Sequence, residues 1–151
     1  MRRASTLGGA LGTFAAQNSR AFLASEIPSL NVVSDARSLA RAYAACVGSV
    51  AGLRILNART IAAAIEPASA GTDAVLLAPT RFGLGFALPT ESSPMLSASS
   101  FGHAGSGGSL AFGDVAHRAG FGYVMNKLGA GFAPFDMRAA RLVAALRDCL
   151  T

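Results

Sequence analysis

The stretch Phe101-Gly102-His103-Ala104-Gly105-Ser106-Gly107-Gly108-Ser109, followed by short apolar runs that end at Phe121-Gly122-Tyr123-Val124-Met125-Asn126, decides how this sequence folds. Apolar residues and glycines alternate there in runs too short for a helix, and turn residues separate the runs at Gly107-Gly108 and at His117-Arg118-Ala119. The pattern predicts three antiparallel strands near 101–105, 109–113 and 120–126, joined as a meander. A histidine, hydroxyls and glycines at 102, 105, 107 and 108 also make a backbone that a ligand can approach closely, because glycine has no side chain in the way. The stretch therefore reads as one edge of an active site.

Upstream, Ser34 or Asp35 can cap a helix reaching about Val47, with Leu39, Tyr43 and Val47 at four-residue spacing and Arg37 and Arg41 on another face. Gly48 ends it. Asn57 precedes a shorter helix over 58–65, stopped by Pro67. Residues 66–80 and 89–100 have loop composition and flank a strand expected over Phe82-Gly83-Leu84-Gly85-Phe86. A last helix runs from Pro134 to about Leu150, with Ala139, Leu142, Val143, Leu146, Cys149 and Leu150 on one stripe while Arg138, Arg141 and Asp148 face away. Helices packed on an antiparallel sheet make an α+β fold, here in a single domain over 1–151 without internal repeats.

With 151 residues, the chain is long enough for one domain with a sizeable core. Its hydrophobic fraction is 52% and its charged fraction 14%, against about 25% charged in average globular usage. Two accounts stand side by side: apolar faces meant to meet a partner, or alanine-rich bias that raises the count without adding buried area. The net charge of +5 arises from twelve arginines and one lysine against eight carboxylates. The arginines are scattered, at Arg20, Arg54, Arg81 and Arg118 for example, and no aromatic platform accompanies them, which argues against a nucleic-acid partner. Cys46 and Cys149 stand alone in helical patterns and read as buried free thiols, with a disulfide between them as the open alternative; neither they nor His103 and His117 have metal-ligand spacing, and no metal or cofactor is expected. Met1-Arg2-Arg3 before the apolar run from Leu7 to Ala16 imitates a signal peptide, but Gly8, Gly9, Gly12 and Thr13 dilute it. The expectation is a cytoplasmic protein without a membrane span, with export as the rival.

Two chemical motifs are imitated without their context. Ala104-Gly105-Ser106-Gly107-Gly108 approximates a G-x-S-x-G nucleophile elbow, with Asp114 and His117 following in triad order. An elbow needs a strand-to-helix turn, and the strand-like Leu110-Ala111-Phe112 follows instead. A phosphate loop fails because Lys127, the only lysine, lies in Met125-Asn126-Lys127-Leu128.

Phe-Gly-His-x-Gly-x-Gly-Gly-Ser at 101–109, Phe112-Gly113-Asp114 and Phe121–Asn126 resemble the third active-site motif and following strands of serine hydrolases of the class C β-lactamase-like superfamily, which includes many carboxylesterases. Phe22–Pro28, Ala36–Ala45 and Thr80–Phe86 extend the resemblance over most of the chain. It covers only the C-terminal part of the family domain, and it implies a partial β-lactamase/transpeptidase-like fold. The other two motifs can be sought directly. A Ser-x-x-Lys ending at Lys127 would need serine where Val124 stands; two residues after Tyr43 and Tyr123 stand Ala45 and Met125, so Tyr-x-Asn is absent too.

At the surviving motif, the resemblance implies that His103-Ala104-Gly105 replaces the usual Lys-Thr-Gly and that the N–H of Ser106 is one of two oxyanion donors. The other donor belongs to the absent nucleophile, so the chain alone is expected to be inactive. Histidine in place of lysine leans toward an esterase or lipase rather than a lactamase. A complementing N-terminal half, or self-association through exposed apolar surface, is the expected partner. The rival reading is a non-catalytic interaction protein that retains half of the fold.

Overall fold

A computed structural model describes residues 17–28, 32–129 and 136–150. The leader-like run from Leu7 to Ala16 and Pro134 at the head of the last helix lie outside the described residues. Among the rest, a small unit takes the residues up to Ser34 together with Ala74–Leu76. Its helix α1 (Arg20–Leu23) is one turn, capped by Ser19 Oγ, which accepts from the Phe22 N–H at 3.2 Å. All other described residues belong to the second unit, from Asp35 onward.

In that unit, α2 (Ala36–Val47) begins at Asp35, whose carboxylate accepts from the Ser38 N–H at 2.8 Å and from its hydroxyl at 3.0 Å. Of the two expected caps, Asp35 therefore does the work. These bonds hold its carboxyl below the usual value. Helix α3 (Ala58–Ile65) repeats the device, with Asn57 accepting from the Thr60 N–H at 2.8 Å. Each such cap contributes about 1 kcal/mol.

The meander is present as β3 (Ser100–Ala104), β4 (Leu110–Asp114) and β5 (Ala119–Tyr123), antiparallel in that order, with Phe112 opposite Gly102 on one side and Phe121 on the other. A second antiparallel pair, β1 (Ser69–Thr72) and β2 (Pro79–Phe82), was not anticipated because its residues have loop composition. Ala87 alone bridges the two sheets, pairing with Phe82 on one side and Gly102 on the other.

Alternation along β4 and β5 gives the three-stranded sheet two unlike faces. Leu110, Phe112, Phe121 and Tyr123 point to one side, where they meet Met95, Leu96 and the Ala139 and Val143 side chains of α4 (Met137–Leu150). Gly113, Gly120 and Gly122 lie on the other side, under α2. A Cβ at Gly120 would collide with the Ala40 carbonyl and lie 2.5 Å from the Ala44 nitrogen; one at Gly122 would collide with the Ala36 carbonyl and lie 2.9 Å from the Ala40 nitrogen. The helix backbone thus rests on the sheet backbone, with Ala36, Ala40 and Ala44 as the contact ridge. Beside that ridge, Tyr43 and Val47 pack on the cluster of Cys46, Ile61, Leu88 and Phe101.

Three expectations need correction. The strand at Phe82–Phe86 is a hairpin tip: Gly83 N–H donates to the Phe86 carbonyl at 2.9 Å and Gly85 has φ +83°, so the Gly-x-Gly pattern serves a turn. Gly83 also lies against the α3 C-terminus, where the Leu84 N–H donates to the Ala64 carbonyl at 3.0 Å. On α4, the buried stripe is only Ala139 and Val143 with Leu146 beside it; Leu142, Leu150 and Cys149 are exposed. Cys46 is buried as expected, and both cysteines are free thiols. Leu53, Ile55 and Leu84 are also more than half exposed, at 60%, 51% and 63%.

Replacing Gly120 by alanine should cost about 3 kcal/mol, since its methyl would meet the Ala40 carbonyl oxygen and the Ala44 nitrogen and Cβ, none of which can rotate away. Gly48→Ala should change stability by less than about 1 kcal/mol, because its methyl meets only the Ala44 carbonyl oxygen at 3.7 Å. Urea titration of the two variants checks the contrast.

Candidate functional site

Strand β3 carries the site residues to an unpaired edge. Gly102 exchanges two hydrogen bonds with Ala87, at 2.8 and 3.0 Å, and so spends its backbone groups away from β4. By alternation the N–H and C=O of Ala104 point the same way. The hairpin tip at 83–86 turns the neighbouring chain aside before it can reach them. The ladder therefore stops at Ala87 and leaves the end of β3 open.

His103 lies at this end, exposed, its ring centroid 6.3 Å from that of Phe82. Its Nδ1 is 2.6 Å from the Ala104 carbonyl. A carbonyl can only accept, so Nδ1 carries the hydrogen and, in the neutral ring, Nε2 is left as the acceptor. The Ala104 side chain faces the opposite side of the sheet and packs on the Leu110 and Phe112 cluster. Gly105 N–H returns to the Ser109 carbonyl at 2.7 Å, and a Cβ on Gly105 would collide with Ser109 Oγ.

Gly105 to Gly108 form a β-turn closed by Gly108 N–H donating to the Gly105 carbonyl at 3.1 Å, with Gly107 at φ +92°. That geometry places exposed Ser106 at the first central position of a type II turn, where its N–H is free of the turn's own closing bond. His103, Ala104, Gly105 and Ser106 thus share one open corner of the sheet.

Sequence reasoning missed what holds this corner. Arg138 reaches back from the start of α4: it donates to the Lys127 carbonyl at 2.8 Å and to the Gly107 carbonyl at 3.2 Å, and pairs with Asp136 at 2.7 Å. Its side chain is exposed, as helical spacing suggested, yet its guanidinium is engaged by these carbonyls. Side-chain and backbone hydrogen bonds from Arg138 pull the Asp136 carboxyl down to about 2.

The second missed feature is a buried polar cluster at the far end of β4. Asp114 is fully buried and accepts from Ser97 and Ser100 hydroxyls, both at 2.6 Å, and from the His117 N–H at 2.9 Å. His117 Nδ1 donates to the same carboxylate at 2.8 Å. Burial pushes this carboxyl up, but the hydrogen bonds from Ser100, Ser97 and His117 outweigh it and leave it below its ordinary value. The Asp–His pair of a triad is therefore present without a nucleophile. The hydroxyls bond the aspartate rather than the imidazole, and Ser106 lies beyond the opposite end of a strand about 13 Å long. Ser106 also sits in a strand-to-strand turn, so the elbow reading fails on geometry.

Among the described residues, no three His, Cys, Asp or Glu side chains group as metal ligands, and no helix is long and apolar enough to cross a membrane.

Truncating Asp114 to alanine should cost about 3–5 kcal/mol, since it strands donors in a dry interior. The sign of the pH effect follows from the lowered carboxyl: its stabilisation is complete above the unfolded value near 3.8 and is lost as pH falls through the folded value. Thermal melts between pH 6 and 2.5 should fall less steeply for Asp114→Asn than for the parent.

Comparison with known proteins adds the following. The family described as Beta-lactamase matches residues 2–145. A family VIII carboxylesterase superposes with a TM-score of 0.83 at 32% identity, over 99% of this chain and 41% of its own. EstA from Arthrobacter nitroguajacolicus Rue61a gives 0.79 at 29%, over 97% and 41%. A penicillin-binding protein homolog from Caulobacter crescentus gives 0.74 at 32%, over 92% and 38%. The chain spans about two fifths of the length of these structures, and no curated protein matches it.

Proposed function

The chain belongs to the beta-lactamase family, and from that premise we propose that it is the C-terminal portion of a serine ester hydrolase, contributing one wall of an acyl-binding site and inactive by itself. The observation that carries the proposal is the open corner at the end of β3. The extended backbone of Ala104 can run alongside an acyl group, and the Ser106 N–H is available to a developing oxyanion. Nε2 of His103 is the free ring nitrogen at the same corner.

In the full reaction a serine hydroxyl gives its proton to a neighbouring base as its oxygen bonds to the ester carbonyl carbon; the C–O π bond opens and negative charge gathers on oxygen. The Ser106 N–H stabilises that charge; collapse expels the alcohol, which takes the proton back from the base, and water then attacks the acyl-serine in the same way to release the acid and restore the serine. Serine and base must come from residues outside these 151, because no Ser-x-x-Lys and no Tyr-x-Asn occur among them. An ester substrate is favoured by the carboxylesterase neighbours and by a histidine at the position where lactam-hydrolysing relatives usually carry lysine.

Purified chain should give no hydrolysis of p-nitrophenyl butyrate above buffer, and turnover abolished by His103→Ala would overturn the inactivity. Mixed with a separately expressed segment bearing Ser-x-x-Lys, it should gain ester hydrolysis. In that assembly Ser106→Pro should lower kcat about 100- to 1000-fold, because proline deletes the N–H at a turn position that otherwise accommodates it. Stability of the chain should be unchanged within about 1 kcal/mol.

A further inference from the structure

We infer that the Asp136–Arg138 pair is a positioning device for the acyl-site corner, holding the turn that presents the Ser106 N–H; this rests on the functional reading above.

The Gly105–Gly108 turn has little to fix it locally. Three of its four residues, Gly105, Gly107 at φ +92° and Gly108 at φ +118°, lack side chains, and its own closure is a single bond of 3.1 Å. Its fixed point is the Gly107 carbonyl, which accepts twice: from the Gly129 N–H at 2.7 Å and from Arg138 Nη2 at 3.2 Å. The same guanidinium takes the Lys127 carbonyl through Nη1, so one planar fork ties the turn to the segment after β5. Asp136 orients the fork through two bonds, 2.8 Å to Nε and 2.7 Å to Nη2. It also comes so close to the turn that a Cβ on Gly108 would collide with its carboxylate. Glycine at 108 therefore answers to a neighbour as well as to its backbone angle.

Arginine is required by this geometry. Its fork spans two carbonyls and a carboxylate at fixed angles, whereas a lysine ammonium is a single point that can serve one or two of them. The fork acts on Gly107, next to Ser106, and the strand residue His103 bonds the carbonyl of Ala104 just before the turn. Releasing the turn should therefore loosen both members of the corner while the middle of β4 stays paired.

Amide hydrogen exchange and ring 15N spectra of the full 151-residue chain test this. In Arg138→Ala, and in Arg138→Lys should the alanine variant fold poorly, exchange at Gly108 and Gly129 should accelerate at least tenfold while Ala111 to Gly113 change less than twofold. The His103 ring signals should also leave the Nδ1–H tautomer pattern. A parallel acceleration at every amide would mean that Arg138 merely stabilises the fold, and unchanged exchange at Gly108 and Gly129 would mean that it does not hold the turn; either overturns the inference. Both readouts are independent of ester hydrolysis, so a failed complementation would count against the functional reading alone.

Discussion

The contact on which this fold depends is main chain against main chain: the α2 backbone lies on Gly120 and Gly122 of β5 without side chains between them. A helix normally stands off a sheet by the thickness of two side-chain layers. Here glycine on one side and Ala36, Ala40 and Ala44 on the other remove most of that layer. The contact replaces methylene burial with dense dispersion contact between backbones, which tolerates no added atom. It also explains why the second face of the sheet can be so poor in bulky residues. Phe101 and its cluster fill the margin where α2 no longer covers the strands.

That arrangement leaves β3 at the margin, and the two polar anchors act at opposite ends of its hairpin. At one end Asp114 gathers the 97–100 and 114–117 turns around a buried carboxylate. At the other, Arg138 and Gly129 hold the 105–108 turn from outside. A short hairpin in isolation is marginal, so fixing both ends gives the exposed corner a defined geometry although few side chains surround it. Hydrophobic packing under α4 and backbone contact under α2 supply the sheet's adhesion, and these polar contacts decide where its last residues point.

Much of this was legible in sequence, for reasons that differ by element. Asp35 and Asn57 announced α2 and α3 because a cap is a local event between residues three apart. The meander was legible because glycine–apolar alternation with two turn signals leaves few other options. The Gly83-x-Gly85 hairpin tip, by contrast, has the same alternation as a strand; what separates them is the Ala64 carbonyl, eighteen or more positions away in sequence. β1 was hidden because its Ser-Ala-Gly-Thr composition has no burial to betray it. The corner residues His103 to Ser106 were singled out through a family resemblance rather than through physics. Periodicity put Arg138 on the exposed face, but its contacts were hidden because periodicity says which face a residue starts from and nothing about where a long side chain ends.

The two histidines illustrate how environment rather than residue type assigns chemistry. His117 has the more familiar partner, a buried aspartate, yet its proton is committed to completing a set of donors that the carboxylate needs in order to stay ionised in a dry interior. Its role is accounted for by burial alone. His103 is bound only to a neighbouring backbone carbonyl and sits in solvent beside unpaired strand edge. The carbonyl fixes the tautomer and orients the ring. This exposed histidine, held in one tautomer on a strand whose ladder has been cut short by a neighbouring turn, has a single ring neighbour, Phe82, among the described residues. The same cut leaves Ala104 without a strand partner on that side, and its carbonyl accepts from His103 Nδ1 instead.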